Sequence, residues 1–281
     1  MRTAEQITDV VTHHGEGPVW SLDWGGLRFV DMLAGGVLTL RDDGDVDRID
    51  VGRVAAMVRP RSRGGYVVAT ENGIGLADDV TGRPTHAIRL TEDDAVRMNE
   101  GSAAPDGSLY VGSMAWDGSP DGGTLYRITP DGETEVAIRP VSVSNGLGFS
   151  PDHATAYYVD SGTGRIDVFA VDGGTLQDRR PLVAVEEGTP DGLTVDSQGT
   201  IWVAVNGAGQ VHRYSPDGER LEVLRVPVPD VTACTHGGPS LTDLFITTSR
   251  LSHGGDAPPA AGALFVAAVD VPGLPVLPFA G

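Results

Sequence analysis

Glu16–Gly17, Asn145–Gly146 and Asp191–Gly192 each set a side-chain oxygen immediately before a glycine. Glu100–Gly101, with Asn99 beside it, offers a fourth instance of the same pair. Two carboxylates and an amide carbonyl form an all-oxygen donor set. Such a set suits one hard divalent cation, Ca2+ first, with Mg2+, Mn2+ or Zn2+ as alternatives. Taken singly, each residue reads as a turn former, because Asn and Asp ahead of Gly are common in turns. Taken together they read as a site, since carboxylates buried side by side with no cation repel one another at high cost. Everything depends on whether four segments far apart in the chain are brought together.

The repeat of the sequence says that they are. Six segments share one pattern, beginning at residues 15, 57, 99, 145, 191 and 235, roughly 42–46 apart. They are GEGPVWSLDWGGLRFVD, MVRPRSRGGYVVAT, NEGSAAPDGSLYVGS, NGLGFSPDHATAYYVDS, DGLTVDSQGTIWVAV and THGGPSLTDLFITTS. Each has a short apolar strand, a polar turn and a second strand ending on an aromatic with Val or Ile. Further strand-like units follow at 124–132, 165–174, 210–218 and 263–270. The 39 Gly and 19 Pro recur at short intervals, as they do where short strands meet in tight turns. No stretch has the apolar period of an amphipathic helix. The period predicts an all-β chain, a six-bladed β-propeller with four-stranded antiparallel blades, with residues 1–281 as a single domain. Residues 1–14 are left over, and they are expected to complete the last blade and remove a free sheet edge. The innermost strand of each blade lines a central channel. The shared register therefore places Glu16, Asn145, Asp191 and either Glu100 or Asn99 around one axis at its mouth.

Charge narrows the partners. The net charge is −19 with the signs interspersed, which repels phosphate backbones and anionic membranes, so neither nucleic acid nor a membrane is expected as a partner. All 20 basic residues are arginine, which excludes a lysine Schiff base. Cys234 is the one cysteine, so no intrachain disulfide can form. No apolar run approaches the roughly 20 residues of a membrane span, and the first 20 residues lack a signal-like apolar core. A cytoplasmic location is the expectation.

The segments GEGPVW (15–20), RMNEG (97–101), PDGSLYVGSM (105–114), SNGLGFSPD (144–152), YYVDS (157–161), TPDGLTVDSQGTIWVAV (189–205), HGGPSLTDLFITTSR (236–250) and FAG (279–281) occur in this order along the chain. In that order the sequence resembles the regucalcin/gluconolactonase family, which includes the senescence-marker and luciferin-regenerating proteins. The resemblance implies metal ligands at Glu16, Asn145 and Asp191, and substrate contacts at Arg97 and Asn99. It makes Asp191 the general acid/base and a sugar (aldono) lactone the small-molecule substrate. Within that expectation the cation polarises the lactone carbonyl and acidifies a bound water, Asp191 moves the proton, and Arg97 and Asn99 bind lactone oxygens. Glu100 stands where an Asp is common, Ser102 where a basic residue is common, and the pocket-covering region is a short loop, AWDGSPDGG, containing Trp116. A phosphotriesterase-like or specialised-ester hydrolase on the same propeller is the alternative enzyme, and a non-enzymatic cation-binding propeller the alternative outside catalysis. A monomer or weak oligomer is expected.

Other residues have plainer readings. Arg97 could instead pair with Asp93 or Asp94. His13 and His14 are adjacent, so on a strand they face opposite ways and do not readily share one ion. Cys234 and His236 could form a nucleophile–base pair, but a lone cysteine in an apolar stretch is usually a buried hydrophobe. Ser113 lacks the strand–turn–helix setting of a nucleophile elbow. Tyr110, Tyr157, Trp202 and Phe245 recur at equivalent blade positions and read as core.

Overall fold

In the computed structural model, which describes residues 2–281, the strands form six four-stranded antiparallel sheets. Five sheets are built from four consecutive strands each. Their innermost strands are Gly15–Ser21, Met57–Pro60, Val96–Ala103, Ser144–Phe149 and Thr189–Val195. The sixth has Val231–Gly237 innermost, then Asp243–Thr248, Phe265–Ala268 and, on its outer edge, the N-terminal strand Glu5–Gln6. Glu5 pairs with Val266 and Gln6 with Phe265, so the first residues close the ring as the sequence predicts. The innermost strands of neighbouring blades touch around one axis. Among the described residues no helix is long and apolar enough to cross a membrane.

The strands form where β-branched and aromatic residues cluster between turn glycines, as in Tyr66–Ala69 and Ile201–Asn206. Inner strands are buried on both faces and outer strands are wet; Val46–Asp50 and Thr134–Val141 are mostly exposed or half-exposed. The core lies between blades. Leu27, Phe29 and Leu38 of blade 1 pack on Phe245 and Leu264 of blade 6. Similar layers join blades 1 to 3, 3 to 4, 4 to 5 and 5 to 6. Burying one such Leu or Phe is worth about 1.5–3 kcal/mol, so a blade is stable only against its neighbours. Tyr110, Tyr157, Trp202 and Phe245 all lie in these layers.

Two features depart from the sequence reading. The sixth inner strand starts at Val231, not near 235, because Val231–Cys234 is apolar enough to enter the channel wall and lacks the polar–Gly marker of the other blades. The last dozen residues form no blade. They run as a strap across the channel end remote from Glu16 and Asp191. Gly273 N–H donates to Leu241 O at 2.8 Å in blade 6, Phe279 N–H to Pro60 O at 2.9 Å in blade 2, and Ala280 N–H to Gly107 O at 2.9 Å in blade 3. Phe279 is buried among blades 2 and 3.

Candidate metal and substrate site

Each candidate side chain sits at an irregularity of an inner strand. In blade 3, Met98 pairs with Ser113 and Gly101 with Val111, so Asn99 and Glu100 together face the single residue Gly112. In blade 4, Asn145 and Gly146 lie between the pairs Ser144–Asp160 and Leu147–Tyr158. In blade 5, Asp191 and Gly192 lie between Pro190–Val205 and Leu193–Val203. Blade 1 breaks register directly after Glu16. A bulge adds a residue to one strand and re-aims its side chain. Here it turns polar groups toward the axis, where regular alternation would put every second residue into a blade interface.

The glycine after each site residue follows from crowding at the axis. A Cβ on Gly146 would lie 2.4 Å from Leu193 N, and one on Gly192 2.4 Å from the Cβ of Ala233. Both contacts are with the inner strand of the next blade. In blades 4 and 5 the polar–Gly pair is thus one residue facing the channel and one gap admitting the neighbouring strand.

The bulges bring Glu16, Asn99, Glu100, Asn145 and Asp191 together, all buried. Asn99 Nδ2 donates to Ser144 O at 2.8 Å and to Asn145 Oδ1 at 3.1 Å. Asn145 Nδ2 donates to Ser161 Oγ at 2.7 Å, and Ser161 Oγ donates to Pro190 O at 2.7 Å. Asn206 Nδ2 donates to Asp191 Oδ2 at 3.1 Å, and Gly17 N–H to Glu16 Oε2 at 3.0 Å. This network fixes the Asn145 amide, because its nitrogen is committed to Ser161 while its oxygen keeps a second lone pair. Ser161 and Asn206 were not singled out in the sequence. Both stand one residue beyond a strand-pair partner of the bulge, at the end of the second strand of blades 4 and 5. That shared repeat position is the signal that could have found them.

Both Asn99 and Glu100 face the channel, at different depths. Asn99 lies level with Asn145. Glu100 is deeper, with Oε1 3.8 Å from Arg59 Nη2 of blade 2. Arg59 is buried among inner strands and was also missed, since it sits in an apolar segment with no polar–Gly marker. Thr232 of blade 6 spends its hydroxyl proton on Gly15 O at 2.6 Å, with Thr247 Oγ1 2.9 Å away.

Arg97 does not pair with Asp93 or Asp94. It is buried, and its Nη1 donates to Asn99 Oδ1 at 2.7 Å, to Met98 O at 3.0 Å and to the Met32 sulfur at 3.2 Å. Its guanidinium also lies 5.5 Å from the ring centroid of Trp116, which carries Arg53 at 4.6 Å. The short loop thus begins with an aromatic contacting two cations. His13 is exposed, whereas His14 is half-buried with Nδ1 2.8 Å from Ser249 Oγ. Burial and the charge of Arg97 push the His14 pKa down to about 4, so its ring is neutral. Cys234 is buried with its thiol pushed up by desolvation and Sγ directed at Trp202 O, 3.6 Å away, which removes it as a nucleophile. Ser113 Oγ is spent on Thr124 O.

The electrostatics call for a cation. Burial raises the pKa of Glu16 well above the ordinary range, and the charges of Asp191 and Glu100 raise it further. Asp191 is raised by burial and then by Glu100, against the pull of Asn206, Gly192 and Arg97. Glu100 is pushed up to about 7 by burial, opposed by Arg59. Asp191 Oδ1 and Glu100 Oε2 are buried without a hydrogen-bond partner. Unpartnered carboxylate oxygens in a site of mutual repulsion fit a divalent cation, which Glu16, Asn145 and Asp191 could hold. Among the described residues no three His, Cys, Asp or Glu side chains group tightly enough to hold a metal by themselves, so the set depends on the Asn145 carbonyl.

Comparison with known proteins gives the family. The family model for the SMP-30/Gluconolactonase/LRE-like region matches residues 14–250. Regucalcin of Danio rerio is 32% identical over 279 residues, 95% of each chain. A 6-deoxy-6-sulfogluconolactonase of Pseudomonas putida is 34% identical over 279 residues, again 95% of each. The structure of a calcium-binding protein, regucalcin, from Agrobacterium tumefaciens superposes with a TM-score of 0.93 at 25% identity, covering 99% of this chain and 97% of that one.

Proposed function

The chain belongs to the SMP-30/gluconolactonase/LRE-like family, and on that premise we propose that it is a metal-dependent lactonase that opens a sugar (aldono) lactone with water. The observation that carries the reading is the group of buried carboxylates Glu16 and Asp191 beside the fixed carbonyl of Asn145, with Asp191 Oδ1 unpartnered. A sulfogluconolactonase among the relatives supports the substrate class, and a calcium-binding structural relative supports Ca2+ as the first candidate cation, with Mg2+, Mn2+ or Zn2+ as alternatives.

A divalent cation held by Glu16, Asn145 and Asp191 supplies Lewis acidity toward the lactone carbonyl and toward water. The protein's own groups do the rest. Asn206 orients Asp191 through Oδ2, and the Asp191 carboxylate takes the proton from the attacking water and returns it to the departing alkoxide. Arg97 makes its hydrogen bonds through Nη1, so its remaining N–H donors can hold a lactone oxygen. Asn99 orients Asn145 and lies within reach of a ring hydroxyl. Glu100 lies below this layer, and its charge raises the pKa of Glu16 and Asp191. Trp116, braced by Arg53 and Arg97, forms one side of the mouth. The single buried cysteine fits a reducing, cytoplasmic setting.

The test is hydrolysis of a panel of aldonolactones, with and without chelator, in the wild type and in Glu16→Gln. Loss on chelation, restoration by Ca2+ or another divalent ion, and loss in Glu16→Gln are expected. Activity that survives both chelation and Glu16→Gln would sink the metal mechanism. Turnover of phosphotriesters but of no lactone would move the chain to the alternative hydrolase reading, and cation binding without turnover of either class to a cation-binding propeller.

A further inference from the structure

Glu100 divides the channel. Above it lie Glu16, Asn145 and Asp191. Below it, further along the same six inner strands, lies a cavity of about 430 Å3 that the lactonase reading does not use. This volume is within the range of small-molecule pockets. Val19, Ala103, Leu147, Leu193 and Val195 line it, and the C-terminal strap closes one side with Leu274–Leu277. Its remaining lining includes Arg59, Glu100 and His236.

The polar residues of this cavity are incompletely satisfied. Glu100 Oε2 and both ring nitrogens of His236 are buried without a partner, and each residue is at least nine-tenths buried. The indole N–H of Trp20, another lining residue, is also buried and unpartnered. Buried polar atoms in native proteins nearly always find partners, so several orphans along one cavity call for an occupant. The charges of Arg59 and Glu100 offset each other at 3.8 Å, and burial pushes His236 down to about 4, leaving it neutral. An anionic group would meet Glu100, and a cationic one Arg59. A neutral hydroxyl can donate to Glu100 or an imidazole nitrogen and accept from the opposite imidazole tautomer or from Arg59. About half of the lining surface is apolar, and this part seats a hydrocarbon body beside the polar groups.

We propose that the cavity beneath Glu100 is a second ligand site, separate from the lactone site, for a small neutral apolar alcohol whose hydroxyl lies at Glu100 and His236. Ser102, from blade 3, and Thr235, from blade 6, line it and are only half-buried, so larger side chains can be placed there without emptying the core.

The test follows the indole N–H resonance of Trp20, identified with Trp20→Phe, in 1H–15N spectra of the Ca2+-loaded protein. The probe is 1-hexanol, with hexanoate and hexylammonium as charged counterparts. A saturable shift with 1-hexanol is expected, with at least tenfold weaker binding of both ions. Ser102→Arg and Thr235→Phe fill the cavity from two different blades and should each abolish the shift while melting as the wild type does. If one variant fails to fold, the other carries the comparison. No saturable shift, an unchanged shift in a folded cavity-filled variant, equal binding of the charged probes, or perturbation centred on Asn145 and Asp191 instead of Trp20 would each overturn the proposal.

Discussion

In chelator the protein should lose stability as pH rises from 4.5 to 7, and Glu100 should account for a measurable part of the loss. The Glu100 carboxyl keeps its proton to about 7 in the folded chain, because burial penalises the anion more than Arg59 supports it. In the unfolded chain the proton leaves near the ordinary 4.5. Between these values the folded state binds more protons than the unfolded state, so unfolding becomes easier with each step up in pH. The slope is about 1.4 kcal/mol per pH unit, which over this window amounts to about 3 kcal/mol. For a chain of this length that corresponds to a fall of about 5–8 °C in Tm. Glu16 and Asp191 are raised for the same reason and act in the same direction. Thermal melts in chelator across pH 4.5–7.5, run beside Glu100→Gln, isolate the effect. Surface carboxylates such as Asp43 and Asp79, held low by backbone hydrogen bonds, contribute equally to both proteins and cancel. The variant, whose neutral amide stands in for the protonated carboxyl, should melt close to the wild type near pH 4.5 and show the shallower slope. Saturating Ca2+ should flatten the wild-type slope, because it binds the ionised folded state. Parallel slopes for wild type and Glu100→Gln would refute the assignment of a buried, proton-holding carboxyl to Glu100.

Three further outcomes are expected. Ser161→Ala and Asn206→Ala release Asn145 and Asp191 from their anchors, so each should lower kcat or cation affinity about 10–100-fold with an unchanged far-UV spectrum, as read by lactone hydrolysis and calorimetric titration. Gly192→Ala places a methyl 2.4 Å from the Cβ of Ala233 and should cost about 1–3 kcal/mol in a denaturant melt while displacing Asp191 and reducing activity. Phe279→Ala empties a fully buried position of the strap and should cost about 3–5 kcal/mol in the same melt.

The repeat and its polar–Gly markers were legible in the chain because both are local. A blade is a short run of strands and turns, and each marker is two adjacent residues, such as Asn145–Gly146. From these follow six four-stranded blades, the N-terminal strand as the closing edge, and Glu16, Asn145 and Asp191 at one level of one axis. Contacts that join different blades were not legible. Whether Asn99 or Glu100 faces the channel cannot be read from strand alternation, which sends neighbours to opposite sides; the bulge opposite Gly112 brings both inward. Arg59 gains a role only because blade 2 sets it beside Glu100, and Ser161 and Asn206 only because their strands end at the bulges. The C-terminal strap has no period to reveal it, since its backbone bonds go to four different blades. Sequence thus determined which residues could do the chemistry and their common register. Tertiary structure decided their depth, their anchors and the second cavity below them, because those depend on distances between segments that share no local signal.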